Sequence, residues 1–229
     1  MRYIAILILI FSASAEFCYA NTPIGKAVNV SGVAVVIRNE KPLKIKPGFN
    51  FLKFDRLTTK KSSSIEVALP DDSVMALGEL ADIIMDEVVY DDMRQDGIID
   101  FKLLAGPFRF VSGAIAKSGP DLIKMKTPAA TIGIRGTTLA GKISGEKSEI
   151  VLLRDRDGRV GMISVENDTG VVVIDQENEG VSVALRSSSL EKTKFTDAEI
   201  KNITKGVPEI SYRSFWQRAY DSLFKFQLR

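Results

Sequence analysis

Adjacent acidic residues are the first candidates for chemistry in this chain. Asp71-Asp72, Asp86-Glu87 and Asp91-Asp92 are neighbouring carboxylates. Two carboxyl groups held about 5–9 Å apart across a cleft hydrolyse glycosides without a histidine. These pairs sit in turn-like or strand-edge contexts, after Pro70 or in the polar run from Asp91 to Gly97, where aspartates satisfy local backbone donors. A second constellation is Arg154-Asp155-Arg156-Asp157-Gly158-Arg159. Asp-x-Asp followed by glycine invites a calcium loop. An EF-hand needs glycine at the sixth loop position, however, and Val160 stands there. The alternating charges read instead as a solvated hairpin tip. The chain has no histidine. That removes the commonest general base, Ser-His and Cys-His nucleophiles, and nearly all zinc sites. The sequence therefore reads as non-catalytic, with no cofactor and no metal site.

The balance of 31 basic and 29 acidic residues, net +2, gives no electrostatic footprint for nucleic acid. The N-terminus has a charged Arg2, an apolar run from Ile4 to Phe11, small residues from Ser12 to Ala15, and Cys18-Tyr19-Ala20 ending in a small residue before Asn21. That is the pattern of a cleaved signal peptide over residues 1–20. The apolar run falls short of the roughly 20 residues that cross a bilayer. No integral membrane span is expected after cleavage. The single cysteine, Cys18, lies within the signal, so no disulfide is expected. Export without cysteines points to a periplasm rather than a disulfide-stapled secreted scaffold.

From Ala27 to about Leu185 the chain alternates with period two in short segments separated by turn residues. Ala27–Arg38 reads as one valine-rich strand, with Ser31-Gly32 as a bulge. Lys46-Pro47-Gly48 is a turn. Ser64–Leu77 reads as a hairpin about Pro70-Asp71-Asp72-Ser73, with Ile65, Val67 and Leu69 on one face. Ile83–Tyr90, Ile98–Leu104 and Phe108–Ala116 follow as strands, the last two separated by Ala105-Gly106-Pro107. Glu149–Leu153, Gly161–Val165, Gly170–Ile174 and Val181–Leu185 complete the set, with turns at Asp157-Gly158 and Glu179-Gly180. The expected fold is all-β, a solenoid-like or sandwich arrangement of short strands over residues 21–186.

A C-terminal helical segment is expected over residues 187–229. Thr196 and Glu199 form a capping box for a short helix that stops near Gly206. Beyond it, Tyr212, Phe215, Trp216, Ala219, Leu223 and Phe224 recur at helical spacing. That stripe either packs on the β domain or offers a partner surface at Tyr212, Phe215 and Trp216.

The stretch TPAATIGIRGT, Thr127 to Thr137, places one cation, Arg135, between Ile134 and Gly136. Its glycines do not have the spacing of a phosphate-binding loop, and no helix pattern follows. Pro128 pushes Thr127 towards extended geometry. Gly133 and Gly136 permit close approach or positive φ. The five donors of Arg135 suit it to binding backbone carbonyls at a strand corner. This stretch resembles the signature of the FecR domain. Phe54–Thr59, the Ser64–Leu77 hairpin (with Asp72 where a glycine is usual) and Leu104–Arg109 are similar to further segments of that family, in the same order. The resemblance implies an all-β periplasmic domain with a binding or signalling role. It assigns Thr127, Pro128, Gly133, Arg135, Gly136 and Thr137 to the family signature, as structural residues. In named members of the family this domain follows a cytoplasmic anti-sigma region and a membrane helix; neither is expected in this chain. The expected function is a non-catalytic periplasmic interaction module in envelope signalling or scaffolding, with an envelope protein or glycan as partner. The alternatives are a cell-wall glycan-binding or polysaccharide-binding module, whose candidate aromatics are Phe49, Phe51, Phe54, Phe108 and Phe110, and a carboxylate-based hydrolase.

Overall fold

The computed structural model describes residues 22–94, 96–119, 122–155 and 157–210. The expected signal peptide and the stripe containing Tyr212, Phe215 and Trp216 lie outside them. In chain order the elements are β1 (Gly25–Ser31), β2 (Ala34–Arg38), β3 (Lys41–Lys44), β4 (Asn50–Phe51), β5 (Arg56–Thr59), β6 (Ser64–Ala68), β7 (Val74–Leu77), β8 (Asp82–Asp91) and β9 (Asp96–Val111). Then come α1 (Ile115–Ser118), β10 (Ile123–Lys126), β11 (Thr131–Arg135), β12 (Thr138–Ser144), β13 (Lys147–Leu153), β14 (Met162–Asn167), β15 (Gly170–Ile174), β16 (Glu179–Val183), β17 (Thr193–Lys194) and α2 (Asp197–Ile203). The chain is all-β with short helical additions, as its alternating pattern predicts.

The strands form two sheets that share β9. Sheet A runs β4-β1-β6-β7-β9-β12-β13-β16-β17. Sheet B runs β3-β2-β5-β8-β9-β10-β11-β14-β15. All pairs are antiparallel except β9 with β10. One core joins the inner faces of both sheets. Ile65, Val67, Met75, Leu77, Phe108, Phe110, Leu139 and Ile150 come from sheet A, and Leu57, Ile83, Ile99, Phe101, Met125, Ile132 and Val165 from sheet B. Phe51, Phe101, Phe108 and Phe110 are fully buried, and each such ring contributes about 2–3 kcal/mol by leaving water.

Gly106 lets one strand serve two sheets. Before it, Ile99, Phe101 and Leu103 point into the core; after it, Phe108 and Phe110 do. The inward positions change from odd to even numbers, which a regular strand forbids. The parity change occurs where the register skips between Asp82↔Ala105 and Ile83↔Leu103, next to Gly106 at φ +91°. The two strands expected on either side of Ala105-Gly106-Pro107 are therefore one element that crosses from sheet B to sheet A. Its end differs from expectation too: β9 stops at Val111, and residues 115–118 form α1.

The single strand expected over Ala27–Arg38 is two strands in different sheets. Ser31-Gly32 is the corner between them, held by the Val33 N–H donating to Ser63 Oγ at 2.9 Å. Gly180, expected at a turn, lies inside β16 opposite Val151. The Ser64–Leu77 hairpin forms as read, with Ile65 opposite Leu77 and Ala68 opposite Val74. Asp55 anchors the entry to β5. Arg38 donates to both its carboxylate oxygens at 2.8 and 2.6 Å, and the Leu52 N–H adds a third bond at 2.8 Å.

The segment after β16 covers the outer face of sheet A. The Thr196–Glu199 capping box is present, with the Thr196 hydroxyl accepting from the Glu199 N–H. Helix α2 seats Ile203 against Ala140 and Val151, together with Phe195. Farther on, Val207 and Ile210 pack on Val74, Ala76 and Val111.

Candidate functional site

The Thr127–Thr137 stretch forms a tight turn and then a corner. The turn joins β10 to β11. Thr127 N–H donates to the Ala130 carbonyl at 2.8 Å. The Thr127 hydroxyl donates to the same carbonyl at 3.0 Å and accepts from the Ala130 N–H at 3.0 Å. Buried Ser148, on β13 of the other sheet, donates to that hydroxyl at 2.9 Å. Thr127 is thus saturated and ties the turn to sheet A. Pro128 is exposed and Gly133 lies within β11.

Gly136, at φ +58°, turns the chain from sheet B into sheet A. Thr137, fully buried, follows. Its N–H donates to Ser112 Oγ at 2.8 Å, and its hydroxyl accepts from the Gly161 N–H at 3.3 Å. Gly161 packs so closely on the corner that a Cβ there would lie 2.0 Å from the Gly136 oxygen. Arg135 is exposed. Its guanidinium makes no hydrogen bond or ion pair among the described residues, so the carbonyl contacts expected of it are absent there. Thr127, Thr137, Ser112, Ser148 and Gly161 make the contacts that hold the corner.

The acidic pairs are dispersed. Asp71 is buried and accepts from the Ser73 N–H and hydroxyl and from the Ile115 N–H, binding the β6–β7 turn to α1. Burial pushes its carboxyl above the ordinary aspartate range, and those hydrogen bonds oppose the shift. Asp86 pairs with Lys102 at 2.5 Å and Glu87 with Lys53 at 2.6 Å. Asp91 accepts from the Met93 and Arg94 N–H groups in the β8–β9 tip. Among the described residues no group of three or more potential metal ligands converges. The Arg154–Arg159 tip is a turn, with Asp155 N–H donating to the Arg159 carbonyl at 2.8 Å. Of the five candidate glycan-stacking rings, Phe51, Phe108 and Phe110 are core; Phe54 is 64% exposed and carries Lys53 over its face.

A groove of about 630 Å³ lies on the outer face of sheet A beside the corner. Gly136 and Thr138 from the corner, Arg154, Asp155, Asp157 and Arg159 from the tip, and Glu209 and Ile210 from the covering segment line it. Arg109 lies within it. In register, Arg109 stands between Ala76 on β7 and Ala140 on β12, two small residues that leave its side chain room. Its Nε is shut off from solvent with no acceptor, and no carboxylate is within ion-pairing distance among the described residues. Burial pulls the guanidinium below its ordinary pKa, and the negative charge of Glu209 partly offsets this. Sequence reading missed this groove. The alternation Phe108-Arg109-Phe110 gives only an outward direction; it does not say that the outer face is itself covered.

The architecture is that of a two-sheet β domain joined at turns and corners. Residues 55–161 match the family described as FecR protein. That span runs from the anchor Asp55 to Gly161 at the corner. Among solved structures, a proposed anti-sigma factor from Parabacteroides distasonis ATCC 8503 is similar at TM-score 0.50 and 15% identity, covering 64% of this chain and 62% of that one. A second structure of a proposed anti-sigma factor from the same organism is similar at TM-score 0.48 and 14% identity, covering 74% of each chain. The chain thus spans less than two thirds of the first structure's length, and at this identity the likeness is one of fold. No protein of curated function matches the chain. Among the described residues no helix is long and apolar enough to cross a membrane.

Proposed function

We propose that the chain is a non-catalytic interaction module of the FecR type, exported by its residue 1–20 signal to the periplasm, where it signals or scaffolds by binding another envelope protein. The observation that carries this reading is the FecR match over residues 55–161. The acidic residues that would serve a hydrolase are engaged in turns and ion pairs instead. The anti-sigma description of the similar structure adds a further proposal, that the binding feeds a transcriptional response. Residues 21–186 form the interaction domain in this reading, and the C-terminal segment extends it.

The experiment is chemical cross-linking of the tagged full chain in intact cells, followed by mass spectrometry of the adducts and co-sedimentation with purified peptidoglycan. One reproducible protein adduct, with no sedimentation, is the expected result. Sedimentation with peptidoglycan and no protein adduct would replace the reading with a glycan-binding one.

A further inference from the structure

We propose that the Arg109 groove is where this module docks its partner, and that the occupant is an acidic peptide segment whose carboxylate seats on the Arg109 guanidinium. The inference rests on the interaction-module reading and names the surface and chemistry involved. A half-buried guanidinium loses hydration, and without an acceptor that loss is uncompensated. Arg109 is in this state: its Nε is enclosed and unpaired, and the residue lines the groove. The other groove cations differ. Arg154 is paired with Glu177 and Arg159 with Asp157. Lys117, exposed on the groove rim, has no ion pair among the described residues. Arg109 and Lys117 are therefore the two cations left for an incoming anion.

A planar guanidinium matches a carboxylate through two parallel N–H donors. Val111, Leu153, Val160 and Ile210 also line the groove. Their side chains suit apolar residues flanking the acid, which a peptide supplies and a small inorganic anion does not. The chain's own residues 211–229 follow directly from Ile210, but they carry Arg213, Arg218, Lys225 and Arg229 against one acid, Asp221. That composition does not complement Arg109, whereas it would attract an acidic partner.

The test uses the purified full chain and a fluorescein-labelled peptide, Gly-Val-Glu-Val-Glu-Val-Gly, read by anisotropy. Its Gln-for-Glu counterpart and inorganic phosphate are the comparison arms. The glutamyl peptide is expected to bind saturably, the glutaminyl peptide at least tenfold more weakly, and phosphate to compete poorly. Arg109→Gln is expected to weaken glutamyl binding roughly tenfold to a hundredfold, the range of a charge-assisted hydrogen bond. Arg56→Gln, on sheet B, should change nothing. If Arg109→Gln does not fold, Lys117→Gln carries the test, with a severalfold loss expected. Equal binding of both peptides, no binding, or unchanged binding in whichever of these two groove variants carries the test overturns the proposal. Glutamyl binding that appears only after Tyr212, Phe215 and Trp216 are replaced by serine overturns it too, because the chain's own segment then fills the groove. A cross-linked protein adduct that survives Arg109→Gln removes the groove and leaves the module reading standing; no adduct with the native chain removes the module reading itself.

Discussion

Replacing Gly106 by alanine tests whether the β9 crossover is the pivot of the fold. At φ +91° an alanine enters backbone space that costs an L-residue about 1–2 kcal/mol. Its Cβ would also lie 2.4 Å from Ala81 Cα and 2.8 Å from Ala81 N. Both are backbone atoms, so no flexible side chain can give way. Forcing a methyl group into such a contact costs a further ~1–3 kcal/mol. The sum is about 2–5 kcal/mol, a large part of the ~5–15 kcal/mol that holds a domain of ordinary stability. Relief by local movement is blocked, because β9 is bonded to β8 and β10 in sheet B and to β7 and β12 in sheet A. Urea unfolding followed by far-ultraviolet circular dichroism measures the effect, with an unchanged slope showing that the unfolded state is the same. Gly145→Ala is the internal control. It sits at φ +61° with nothing within 4 Å of the added carbon, so only the backbone cost of about 1–2 kcal/mol applies. If the two variants lose stability equally, the steric argument about the crossover is refuted.

Three further outcomes follow from the polar groups. Thr127→Val removes a hydroxyl that donates to the Ala130 carbonyl and accepts from Ala130 and Ser148; a loss of about 1–3 kcal/mol in urea unfolding is expected. Arg135→Ala, at an exposed side chain without a partner among the described residues, should stay within ~0.5 kcal/mol. Asp71 sets a pH dependence. Its native pKa is raised, so the native state holds the proton more tightly than the unfolded chain does. Its contribution is fully present below the unfolded aspartate pKa, near 3.9, and is lost as pH rises through the higher native value. Unfolding free energy measured from pH 3.5 to 7 should fall less steeply in Asp71→Asn than in the native chain, even though the variant is less stable throughout.

Most strands were legible because one face lies on a shared core: Ile65 and Val67, or Ile163 and Val165, alternate with residues outside it. The assignment of strands to sheets was not legible. Ser31-Gly32 reads the same whether it bulges a strand or turns it into the other sheet, and only pairing with distant β6 and β5 decides. The Gly106 parity change was visible in the residue numbers, yet a break between two strands gives the same pattern. The capping box at Thr196 was legible because it is local. The groove was hidden for the opposite reason. Its floor comes from β9 and β12 and its rim from residues 209 and 210, about a hundred residues after Arg109 in the sequence, and no short-range pattern records that meeting.

The family turn and the groove are built from the same joint. Gly136 directs the chain into sheet A, and this places Thr138 where its hydroxyl donates to Asp155. That bond holds the base of the Arg154–Arg159 tip, which forms one wall of the groove. Gly161 closes the other side of the joint by lying against the Gly136 and Arg135 carbonyls. A methyl group at Gly161 would meet those two oxygens at 2.0 and 2.5 Å, so the returning chain must move away. Gly161→Ala should cost about 1–3 kcal/mol of stability by overpacking, and it should weaken glutamyl-peptide binding although residue 161 does not line the groove. Both effects are read on one protein sample, by urea unfolding and by anisotropy. A stability loss with peptide affinity unchanged would mean that the corner fixes the fold and the groove wall is held independently of it.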